Sequence, residues 1–157
     1  VNLMIMEPLL NNYTNQSIFV EKYGLDMMVD LLLECPLGQD PASHYSFVIM
    51  ILSKLFRRQQ KQADFLINGR GDEMIKLLVQ LCKEVSLKKT SFCALVFKFL
   101  QVFLNPEDQG SCQYLIKNNP RFASDIIDIM VAHVQNKKSL FIIQSGTQLL
   151  AMYFANS

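Results

Sequence analysis

Residues 15–34 read NQSIFVEKYGLDMMVDLLLE, and features of this stretch recur along the chain. It has a polar start, an apolar triplet at 18–20, a break at Gly24 and an amphipathic run that ends in three leucines. The pattern predicts two short helices joined by a glycine turn. Such a unit cannot bury its own apolar face, so it needs a neighbour on each side.

The same pattern recurs 47 residues later in the chain. Gly24 corresponds to Gly71, and the other matched positions are acidic, apolar or cysteine: Asp26 with Glu73, Met27 with Met74, Leu31 with Leu78, and Cys35 with Cys82. A looser third copy covers residues 115–127, with Pro120 near the place of the glycine and Ser124 as the expected N-cap. We therefore predict a stack of helical repeats stabilised by contacts between nearest neighbours.

Helical spacing of apolar residues extends along nearly the whole chain, and most prolines and glycines fall between the apolar runs. No segment needs a strand, so the predicted class is all-α. Gly146 is the exception among the glycines because it lies inside the last helical pattern. The predicted helices cover residues 1–11, 14–22, 25–35, 41–59, 60–68, 72–85, 87–104, 109–118, 121–136 and 139–155.

Composition narrows the classes of function. The chain has 157 residues, of which 50% are hydrophobic and 18% charged, and its net charge is +1. This balance argues against disorder, and the near-neutral charge argues against nucleic acid as a partner. The apolar runs are too short to cross a bilayer, and no basic region precedes the first of them. We expect a single domain over residues 1–157, cut from a longer protein of the cytoplasm or the nucleus.

Chemistry-bearing motifs are absent from the sequence. The four cysteines form no C-x-x-C pair, and His44 and His133 lie far apart, so the pattern predicts neither a metal site nor a cofactor. We expect free thiols, no enzymatic activity and no small-molecule substrate. His133 falls near a helix end, where an imidazolium would suit the dipole. Residues 70–72 spell Arg-Gly-Asp, which we interpret as part of the glycine turn, with Asp72 as a cap.

The quoted stretch resembles the armadillo-repeat superfamily, in which an apolar pair precedes a glycine turn and a helix that ends in Leu-Leu. The second copy, FLINGRG at 65–71 followed by Met74-Ile75 and Leu77-Leu78, is similar. HEAT repeats share much of this pattern, and the long runs at 41–59 and 87–104 favour HEAT-like pairs. The resemblance implies a right-handed α-solenoid of about three to four repeats whose last helices line a concave groove. The chain lacks tryptophan, so it departs from the importin type of groove.

Candidate groove residues follow from the amphipathic pattern of the second helix in each repeat. On the helix at 72–85, placing Met74, Ile75, Leu78, Leu81 and Cys82 inward leaves an outward face. The predicted partner-binding residues of the three repeats are Val29, Asp30 and Leu33, then Lys76, Gln80 and Lys83, and finally Asp128 and His133. An ordinary solvated face is the alternative interpretation.

The predicted function is a protein-protein interaction scaffold that binds a helical or extended peptide segment of a partner protein. An alternative function is a homo-oligomerisation module, because the helices at both ends of the chain are strongly apolar.

Overall fold

The chain is all-α in a computed structural model, which describes residues 8–34, 41–59, 62–85, 90–134 and 140–157. No strand occurs in these ranges, which confirms the predicted class. The helices are α1 (Tyr13–Tyr23), α2 (Met27–Leu33), α3 (Pro41–Gln59), α4 (Gln62–Ile67), α5 (Gly71–Val85), α6 (Thr90–Leu100), the 3-10 helix η1 (Gln101–Leu104), α7 (Gln109–Asn118), α8 (Phe122–Ala132) and α9 (Leu140–Ala155).

Helix boundaries agree with the sequence patterns wherever a strong stop signal is present. The predicted helices 41–59 and 109–118 match α3 and α7 residue for residue. The predicted helix 1–11 lies mostly outside the described residues, and only residues 8 and 9 are seen to be helical before a turn. The predicted helix 87–104 changes to 3-10 geometry at Gln101, because Asn105 must leave the helical region before Pro106.

The backbone separates into two compact units, Val1–Gly71 and Asp72–Ser157. The prediction of one repeat domain over the whole chain therefore stays a prediction, and each unit is described by itself.

In the first unit, the long helix α3 packs against both α1 and α2. The core is aliphatic, and its fully buried side chains include Met28, Leu32, Ile49, Leu52, Leu55 and Leu66. Asn12 caps α1, since its side-chain oxygen accepts from the amides of Thr14 and Asn15 at 2.8 and 3.3 Å. Gly24 ends the helix with φ of 73°, a backbone conformation that glycine adopts without steric cost.

In the second unit, α9 packs against α6, α8 and η1. The core is aromatic as well as aliphatic, with Phe97 and Phe103 fully buried. Close packing against α8 explains why Gly146 interrupts the apolar pattern of α9. A Cβ atom at this position would lie 2.5 Å from the sulfur of Met130 on α8, so the absent side chain lets the two helices approach closely.

The matched glycines Gly24 and Gly71 have different roles. Only Gly24 has a positive φ among the described glycines. At Gly71 the constraint is steric, because a Cβ atom would lie 2.7 Å from the carbonyl oxygen of Phe65 and 2.9 Å from the amide nitrogen of Leu66. Helix α5 begins at Gly71 itself, so Asp72 lies in its first turn and is not the cap that the sequence suggested.

Long-range polar contacts join residues that are about one repeat length apart. In the first unit, the side chain of Asp26 accepts from the backbone amide of Arg70, 44 residues later, at 2.9 Å. In the second unit, Asp72 accepts from the side chain of Asn119, 47 residues later, also at 2.9 Å. Each aspartate lies at the start of a helix and holds a turn that comes later in the chain. These separations are close to the 47-residue offset in the sequence.

Candidate functional site

A groove of about 300 Å³ runs between α5 and the turn that joins α7 to α8. Both of its sides belong to the second unit. One side is the outward face of α5, and the other is the Asn-Asn-Pro-Arg turn with the first residues of α8. The lining residues are Ile75, Lys76, Val79, Gln80, Lys83, Asn118, Asn119, Pro120, Arg121, Phe122 and Asp125. We call this surface the α5–α8 groove.

The face of α5 that borders the groove follows from its amphipathic sequence. Met74, Leu78 and Cys82 are fully buried, and Ile75 and Leu81 are nearly so, as the helical pattern predicted. Lys76, Gln80 and Lys83 are exposed on the opposite side, which confirms their predicted outward placement. Their binding of a partner stays a prediction.

The floor of the groove is apolar. Ile75, Val79 and Phe122 line it, with 1%, 7% and 3% of their surfaces exposed. Phe122 is the first residue of α8 and stacks on Tyr153 of α9, with ring centroids 5.3 Å apart. This stacking fixes the side of the groove that α8 contributes.

Two ion pairs hold the charged rim in place. Lys83 contacts Asp125 across the groove at 2.8 Å, and so joins α5 to α8. Lys76 contacts Asp72 at 2.7 Å, one turn back along α5. Asp72 also accepts from Asn119, so this carboxylate connects α5 to the turn before α8. Each pair is part-exposed, so its main effect is to set geometry, with a modest effect on stability.

Arg121 differs from the two lysines. It is the N-cap residue of α8, and its exposed side chain makes no capping hydrogen bond. Among the described residues, no carboxylate pairs with its guanidinium. The expected N-cap, Ser124, lies inside the helix instead and donates its hydroxyl to the Arg121 carbonyl at 3.0 Å.

Two predicted partner-binding residues are in the wrong place for that role. Val29 is fully buried, because α2 turns it toward the core with Met28 and Leu32. His133 is also fully buried, at the C-cap of α8. Burial lowers the pKa of His133, so the neutral imidazole is favoured and the expected imidazolium at the helix end is not.

The remaining candidates are exposed but lie outside the α5–α8 groove. Asp30 and Leu33 are on the surface of the first unit, where Asp30 pairs with Arg70 at 2.6 Å. Asp128 is exposed on α8, beyond the residues that line the groove. The structure therefore brings together three of the eight predicted residues: Lys76, Gln80 and Lys83.

Sequence reasoning missed the turn residues that complete the groove, namely Asn118, Asn119, Arg121 and Phe122. One feature of the sequence could have pointed to them: Asn118-Asn119-Pro120 stands where the other two copies of the pattern have their glycine turn. The sequence pattern places Pro120 near the glycine position of the turn, and the structure shows that the neighbouring Asn119 donates the hydrogen bond that ties this turn to Asp72.

The Arg-Gly-Asp tripeptide is occupied by contacts within the fold. Arg70 pairs with Asp30, and its backbone amide donates to Asp26. Asp72 pairs with Lys76. These contacts support a structural role for the tripeptide.

Thiols and metal ligands offer no further site in the described parts of the chain. Cys82, Cys93 and Cys112 are free and fully buried, whereas Cys35 lies outside the described residues. A hydrogen bond with Cys93, together with burial, raises the pKa of the Cys82 thiol, which disfavours a reactive thiolate. No group of three histidine, cysteine or acidic side chains in those parts of the chain could hold a metal ion. None of the described helices is long and apolar enough to cross a membrane.

No protein-family model, curated protein or solved structure matches this chain. The likeness to armadillo and HEAT repeats therefore stays a prediction from the sequence.

His133 provides a test of the described burial. Because its pKa is lowered in the folded chain, His133 binds more protons in the unfolded chain than in the folded chain once the pH falls to about 6.5. The stabilisation from the neutral, buried ring is present above that pH and is lost as the pH falls through about 6.5 toward the lowered pKa. Urea unfolding of the wild type between pH 7.5 and 5, compared with His133→Gln, measures this loss. We expect the difference in unfolding free energy between the wild type and His133→Gln to become smaller as the pH falls. A difference that does not change with pH would contradict the burial of His133.

Proposed function

We propose that this chain is a non-enzymatic interaction module that holds a helical or extended segment of a partner protein in the α5–α8 groove. The chain is further proposed to be an armadillo- or HEAT-like solenoid, in which the last helices of the repeats line a concave groove. The groove itself is the observation that carries the proposal. It combines a buried apolar floor with a rim of polar and charged side chains, as peptide-binding surfaces do.

Rigidity of the rim supports binding over a merely solvated face. The Lys83–Asp125 pair and the Asp72–Asn119 hydrogen bond connect both sides of the groove before any partner arrives. A partner segment would therefore meet a preformed surface, which lowers the entropy lost on association. A single exposed helix face, with no second element packed beside it, offers no such preorganisation.

The chemistry of the groove favours binding over catalysis. Lys83 and Asp125 neutralise each other in an ion pair, and Gln80 donates to Glu84 at 3.3 Å, one turn further along α5. Catalysis by a nucleophile needs an activating base within hydrogen-bonding reach. The lining residues include neither a cysteine nor a serine, and no histidine.

Filling the groove tests this proposal. The side chain of Gln80 is exposed at the centre of the α5 face, so Gln80→Trp should block the groove without disturbing the core. The probe is a peptide selected on the wild-type protein from a displayed random library. We expect Gln80→Trp to weaken its affinity about tenfold or more in fluorescence polarisation, since a steric block removes the floor contacts.

The matched control is Gln113→Trp, which places the same bulky side chain at an exposed position of α7 outside the groove. This variant should bind the selected peptide like the wild type. Equal affinities of wild type and Gln80→Trp would contradict the groove as the binding site.

A second function, homo-oligomerisation, is favoured by a different surface. Ile127, Val131 and Val134 recur at helical spacing from α8 onward and are 44%, 63% and 61% exposed. Leu140 and Phe141 at the start of α9 are also exposed. Exposed apolar side chains at such spacing are typical of interfaces between protein chains when they form one patch.

Light scattering across a range of protein concentrations tests this second function. Association through the α8 surface should raise the apparent mass with concentration, and Val131→Lys should abolish the rise by placing a charge in the interface. A monomer at every concentration would contradict oligomerisation and leave the groove proposal standing.

A further inference from the structure

We propose that the segment held in the α5–α8 groove is acidic and amphipathic: an apolar side chain covers Val79 and Phe122, and a carboxylate pairs with Arg121. This inference rests on the proposed function of the groove and adds the chemistry of the partner. It follows from the distribution of charge around an apolar floor.

The charges that line the groove are unbalanced. Three cationic side chains and one carboxylate lie among the lining residues. Asp125 is neutralised by Lys83, and Lys76 is neutralised by Asp72 just outside the lining. Arg121 is therefore the one charged side chain of the lining that is not in an ion pair with another described residue. Glu84 also lies outside the lining, beyond Gln80.

Arg121 is well suited to a carboxylate from another molecule. A guanidinium presents several donors in a plane and pairs with a carboxylate through two parallel hydrogen bonds. Arg121 also precedes the eleven-residue helix α8, whose positive end favours an anion nearby. The guanidinium and the helix dipole would act on the same ligand group.

The apolar floor determines the rest of the ligand. Val79 and Phe122 are 7% and 3% exposed, so they leave a small apolar area between α5 and α8 for a ligand to cover. A ligand with carboxylates alone would leave this floor unfilled, and an apolar ligand would leave Arg121 unpaired. A basic segment would bring a like charge to Arg121, and like charges at an interface are unfavourable.

Three synthetic amphipathic peptides test the inference. They share the same leucine positions and carry Glu, Gln or Lys at the flanking positions. We expect the Glu peptide to bind the wild-type protein most tightly and the Lys peptide least tightly. Arg121→Gln should weaken the Glu peptide about three- to tenfold and barely change the Gln peptide, because only the former loses an ion pair.

Two further variants separate a specific pair from general electrostatics. Arg121→Glu should reverse the order of the Glu and Lys peptides. Lys98→Gln removes an exposed positive charge from α6, outside the groove, and should leave all three affinities unchanged. If Lys98→Gln and Arg121→Gln weaken the affinity for the Glu peptide equally, the net charge of the protein alone determines the affinity, and the inference is overturned.

The outcomes also distinguish this inference from the proposed function. If the Glu peptide binds no more tightly than the other two, the inference is wrong. If Gln80→Trp nevertheless abolishes binding of the selected library peptide, the groove still binds a partner segment, but one of different chemistry. If Gln80→Trp affects neither the library peptide nor the synthetic peptides, both proposals are wrong.

Discussion

Short helices impose one constraint on this chain, which is that none of them can bury its apolar face alone. Helix α2 has only seven residues, yet Met28, Val29 and Leu32 are almost completely buried because α3 packs against it. In the second unit, α9 covers α6 and α8 in the same way. Apolar burial therefore drives the packing of successive helices, and polar contacts such as Asp26 with Arg70 fix which turn meets which helix.

The α5–α8 groove is a consequence of this way of packing. Asp72 and Asn119 hold the turn before α8 close to the start of α5, and Lys83 and Asp125 join the two helices further along. Apolar floor residues lie between these two connections, and the charges that form them are neutralised within the fold. Arg121 has no carboxylate partner among the described residues, so the same interactions that define the shape of the groove also define the charge that we propose for ligand binding.

The sequence predicted the helices and the inward face of α5 because both depend on a local period of 3.6 residues. The sequence pattern failed at Val29, since this residue is buried beside Met28 and Leu32 in a helix too short for its period to define the outward face. It failed at His133 because burial of a helix end depends on distant chain segments. The turn residue Asn119 was missed for a similar reason: its partner Asp72 lies 47 residues away, and a single sequence does not reveal the pair. Arg121 was missed because its place beside α5 depends on that same distant contact.

The binding surface can be mapped directly by NMR, using the peptide selected on the wild-type protein. We predict that the largest chemical-shift changes fall on the amides of α5 that border the groove and on residues 118–122. Shifts concentrated on the exposed face of α8 and the start of α9, around Val131 and Phe141, would contradict it. That result would move the site of binding to the exposed apolar side chains that we propose for self-association.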